Sequence, residues 1–138
     1  MVKLPPRRVL RSIVQDAIDD RQAFDDSTVA EETARTIEQY RALIVNLDQP
    51  GRALDEHDRE VLKRACLHAR IWREGYLDAW NHTGDKPVIL EARQDIDRVT
   101  RTEEALGGRY MTALDRALET AEVVSIFDLR ENRSFGGA

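Results

Sequence analysis

Apolar residues recur at helical intervals along most of the chain. Val9, Leu10, Ile13, Val14, Ala17 and Ile18, followed by Phe24, have the three-and-four spacing of one amphipathic helix. Pro5 and Pro6 precede it, where proline costs little because first-turn N–H groups lack helical partners. Thr28, with Glu31 three residues on, predicts a capping box for a second helix carrying Ile37, Tyr40, Ile44 and Leu47. Gln49-Pro50-Gly51 ends it. A third helix is predicted from Asp55, as N-cap, to about Asn81, with Asp58 favoured in its first turn by the helix dipole. His82-Thr83-Gly84-Asp85 makes a turn, and Pro87 suits the start of a fourth helix bearing Val88, Ile89, Ala92, Ile96, Val99 and Leu106. Gly107-Gly108 terminates or kinks that helix, and Tyr110, Met111, Leu114, Leu118 and Ala121 suggest a fifth. Strand and hairpin-turn signals are nearly absent. The pattern predicts an all-α domain of four to five helices centred on a long antiparallel hairpin over 55–106. It divides into a basic arm and first helix (1–26), a helical oligomerisation region (27–127) and a tail (128–138).

Around the third helix, at about 100° per residue, the residues separate into sectors. Val61, Leu62, Ala65, Ala69, Trp72, Tyr76 and Trp80 form the expected core face, with two tryptophans implying a deep partner surface. Arg59, Lys63, Arg70 and Arg73 form a basic stripe, where local pairing of Arg70 with Glu74 and Arg73 with Asp78 is expected. Leu67 and Ile71 lie off the core face among Glu60, Glu74 and Asp78. One turn apart, they are either a subunit contact or incidentally exposed.

Charge changes the picture mainly at the N-terminus. Across all 138 residues, 21 basic side chains face 26 acidic ones, so any nucleic-acid contact has to be local. Lys3, Arg7, Arg8 and Arg11 fall in the first eleven residues with no acid, while five aspartates face Arg21 over residues 12–26. Such an arm can contact DNA phosphates, releasing counterions, or dock on an acidic neighbour; four cations supply affinity without sequence readout. No apolar run is long enough to span a bilayer, and Met1–Gln15 lacks a signal-peptide core, so a cytoplasmic protein without membrane partners is expected.

Candidate chemistry is sparse. His57, His68 and His82 form no metal-ligand spacing, and no metal or other cofactor is expected. Cys66 alone excludes an intramolecular disulfide, and its helical setting reads as a small buried residue without an activating base. Ser27, Ser125 and Ser134 sit in no nucleophile elbow, and no glycine-rich phosphate loop occurs. Carboxylates such as Asp16, Asp19, Asp20, Asp95 and Asp97 could in principle serve acid–base or magnesium chemistry. At this charge density they arise by chance, and no catalytic residue is assigned.

From Asp55 to Gly108 the chain resembles the small subunit of a tailed-bacteriophage terminase. The segments that carry the resemblance are Leu54–Leu62, Ile71–Tyr76, the turn Thr83–Ile89 and the closing Leu106-Gly107-Gly108, with Arg109-Tyr110 where that family often has Pro-Arg. The resemblance implies a non-enzymatic, all-helical homo-oligomeric ring in phage DNA packaging. The third and fourth helices would build the ring. The N-terminal cations would bind double-stranded DNA, and the tail after Asp128 would meet the large terminase subunit. Alternatives are a virion head–tail adaptor binding a portal-type partner, a small partner-binding regulator, and a small carboxylate enzyme. Location follows the reading: host cytoplasm for a packaging protein, the virion for an adaptor.

Overall fold

The computed structural model describes residues 3–112 together with 117 and 118. The chain is all-α there, with α1 at Arg7–Ala23, α2 at Ala30–Leu47, α3 at Glu56–Asn81 and α4 at Lys86–Ala105. α3 is the hub, packed against α1, α2 and α4, while α1 and α2 also pair with each other. Contacts from Arg7 to the carbonyls of Asn46, Leu47 and Gln49 bring the start of α1 to the end of α2, so the two run antiparallel.

The helix boundaries follow local chemistry. The Asp55 carboxylate accepts from the Asp58 N–H at 2.7 Å, and the Asp58 carboxylate accepts from the Asp55 N–H at 3.2 Å, a reciprocal capping box. Asp58 also accepts from the Asn46 amide at 3.0 Å, which ties the start of α3 to the end of α2. Asp85 caps α4 by accepting from the Val88 N–H. At the far end of α4, the Gly108 N–H donates to the Glu103 carbonyl and the Gly107 N–H to that of Glu104. These are the two bonds of a Schellman motif, and Gly107 has the positive φ (94°) that the turn requires.

Leu10, Ile13, Val14, Ala17 and Ile18 of α1 meet Val61, Leu62, Ala65, Cys66 and Ala69 of α3 in the core. Tyr40, Leu43 and Leu47 close it from α2, and Val99 and Leu106 from the α4 side. Ala17, Ala65 and Ala69 are fully buried, and such small side chains let helix axes approach closely. Burying each large apolar side chain contributes roughly 1.5–3 kcal/mol.

Several local expectations are corrected. Thr28 does not cap α2: its hydroxyl donates to Asp26 at 2.7 Å, and Asp26 caps a short 3₁₀ turn at Ser27–Val29. The aspartate carboxylate accepts both the Thr28 N–H and its O–H, leaving that hydroxyl no role toward Glu31. Trp72 and Trp80 are only half-buried, because burial on α3 stops at Arg70. At 26 residues α3 is about 39 Å long, whereas α1 and α2 are each about 26 Å and end before covering it. Phe24 stays exposed beneath the Arg21 guanidinium. Tyr110 and Met111 are not helical. Leu114 and Ala121 of the expected fifth helix, and the tail 128–138, lie outside the described residues.

Candidate functional site

Side chains that could do chemistry are mostly locked into structure. Tyr40 Oη and His68 Nδ1 are 2.6 Å apart in the core, linking α2 to α3. Burial, with Arg21 and Arg64 nearby, pushes the His68 pKa down to about 3, so the ring is neutral at physiological pH. Burial pushes the Cys66 thiol far up, the opposite of an activated nucleophile. His57 and His82 are exposed at the two ends of α3. Among the described residues no group of three His, Cys, Asp or Glu side chains could hold a metal ion.

Two of the four cations of the expected basic stripe of α3, Arg70 and Arg73, are taken up by long-range pairing, while Lys63 pairs locally with Glu60 and Arg59 is exposed. Arg70 turns inward to Glu103 of α4, and both are buried. Burial lifts the Glu103 carboxyl above its usual range, with Arg70 opposing. Among the described residues Arg70 Nε and Glu103 Oε1 have no partner, so the pair is joined through one contact. Arg73 reaches two other helices: it donates to Asp16 of α1 at 2.7 and 2.9 Å and lies 3.2 Å from Asp95 of α4. The pairings expected with Glu74 and Asp78 are therefore not the ones formed. Partners distant in sequence approach once the helices pack, and the less solvated cross-helix site favours a charge-assisted bond.

The N-terminal cations divide into two kinds. Arg7 donates to three carbonyls at the end of α2, and Arg11 pairs with Asp48 at 3.0 Å. Both meet the negative end of the α2 dipole, a structural use the sequence did not indicate. Lys3 and Arg8 are exposed, with no ion-pair partner among the described residues. Arg8 lines a cleft of about 330 Å³ between α1 and α4, with Ser12 beside it and Arg98 across it. Asp16 and Asp95 line the same cleft, and Arg98 pairs with Asp95 at 3.1 Å. The sequence reading missed Arg98, because its nearness to Arg8 exists only after α4 folds back over α3.

Leu67 is half-buried and Ile71 is 46% exposed. Beyond Arg70 the apolar residues of α3 (Ile71, Trp72, Tyr76, Leu77 and Trp80) are all exposed or half-buried. Leu90 of α4 is exposed as well, so the outer end of the hairpin carries partly open apolar surface. No described helix is long and apolar enough to cross a membrane. Comparison with known protein families, curated proteins and solved structures finds no match for the chain.

Proposed function

We propose that this protein is a non-enzymatic helical assembly subunit that self-associates through the outer half of its α3–α4 hairpin and touches DNA with its N-terminal cations. The observation that carries the reading is the end of burial at Arg70. Beyond it Ile71 and Tyr76 are exposed and Trp72, Leu77 and Trp80 only half-buried, and apolar side chains left open together mark an interaction site. The terminase small-subunit resemblance supplies the specific form: a homo-oligomeric ring in phage DNA packaging that binds double-stranded DNA and regulates a large motor subunit. Lys3 and Arg8, assisted by Arg98, would meet the phosphates, while Arg7 and Arg11 hold the bundle together. No feature favours the head–tail adaptor or the small-enzyme reading over this one.

Light scattering coupled to size-exclusion chromatography tests it. A discrete oligomer that binds duplex DNA with strong salt dependence is expected. A monomer at every concentration and salt would overturn the assembly reading. An oligomer indifferent to DNA would leave assembly standing and remove the packaging role.

A further inference from the structure

We infer that the C-terminal stripe through Leu118 of one copy seats in the cleft formed by Ile71, Trp72, Gly75 and Tyr76 of a second copy. The inference rests on the self-association proposed above and names the two surfaces that meet. The cleft measures about 240 Å³ and lies where α1 ends, with Asp20 at its edge. Gly75 leaves its α3 wall bare, since a Cβ there would meet nothing within 4 Å. A mid-helix glycine costs roughly 0.5–1 kcal/mol relative to alanine, so the open wall comes at the expense of helix stability.

Leu118 is the matching feature. It is 52% exposed, so the single copy does not use it to fill its own cleft. In the sequence Met111, Leu114, Leu118 and Ala121 recur at three- and four-residue intervals. The departure point suits contact with a neighbour. The Tyr110 ring lies 6.0 Å from the Arg64 guanidinium, and Arg64 shares a face of α3 with Ile71, two turns or about 10 Å further on. Leu118 follows Thr112 by six residues, a reach of about 20 Å when extended. Because the two patches differ, the contact is head to tail, and repetition closes a ring wherever the rotation allows.

Full-length variants test this. Gly75→Leu adds bulk to the cleft from a position where a Cβ meets nothing within 4 Å, so the fold should be retained while association weakens at least tenfold. Leu118→Asp should weaken association similarly without loss of helical content. An equimolar mixture of Ile71→Cys and Leu118→Cys chains should give a covalent dimer under mild oxidation, with buried Cys66 silent. An oligomer unchanged by Gly75→Leu and giving no mixed disulfide overturns the inference but leaves self-association intact. A double-cysteine chain that closes only on itself shows that the stripe seats within one copy and also overturns it. A wild-type monomer removes both the inference and the reading beneath it.

Discussion

The Tyr40 phenol and the His68 imidazole share a 2.6 Å hydrogen bond between α2 and α3, with both side chains inside the core. The contact keeps a histidine where a proton is unwelcome. In the unfolded chain His68 titrates near the ordinary value of about 6.5, but in the fold its pKa is near 3.

The sign of the pH effect follows. The folded state binds fewer protons at this site, so the contribution of neutral His68 is present above about pH 6.5 and drains away as pH falls toward 3. Urea midpoints for the wild type should drop between pH 6.5 and 5, before most carboxylates titrate. His68→Gln should flatten that limb, and identical limbs would show that His68 is protonated in the fold.

Breaking the Arg70–Glu103 pair from one side should be costly. Arg70→Ala leaves the Glu103 carboxylate buried without its partner and should lose about 3–5 kcal/mol in denaturant unfolding. Replacing both, as Arg70→Met with Glu103→Leu, should recover most of that loss. Equal destabilisation by the single and double changes would mean that packing volume, not charge, is what the site requires.

Arg73→Ala should loosen α1 and α4 together, because its guanidinium bonds to Asp16 on one and pairs with Asp95 on the other. A loss of about 1.5–3 kcal/mol is expected. Amide hydrogen exchange should show faster opening in both helices; faster exchange in only one would refute the bridging role.

Arg7 and Arg8 are neighbours with opposite assignments. Arg8→Ala should leave stability unchanged and reduce the magnitude of the DNA-binding salt slope by about 0.9 if it contacts one phosphate. Arg7→Ala should instead lower stability by about 1 kcal/mol, since the end of α2 loses a donor, while the salt slope holds. Binding titrations at several salt concentrations, beside thermal melts, separate the two.

The limits of α3 and α4 are legible in the sequence because caps and stop signals are local. Asp55, Asp58, Asp85 and the Gly107-Gly108 pair act within a few residues of where they stand. The depth of the core is not. The apolar repeat of α3 runs unbroken to Trp80, and nothing within it shows that α1 and α2 are too short to cover the second half. The partners of Arg70, Arg73, Arg7 and Arg11 were invisible for a related reason, lying 22 to 57 residues away. Of the candidate site, the exposure of Ile71 and the basic N-terminus follow from pattern and composition; the nearness of Arg98 to Arg8 follows only from the fold.

Glu103 belongs to two systems at once. Its carboxylate holds Arg70 at the α3–α4 seam, and its carbonyl receives the Gly108 N–H in the turn that sets the heading of everything downstream. The α3–α4 seam and the turn that closes α4 thus share one residue, so a change that shifts the Glu103 backbone disturbs the ion pair and the turn together.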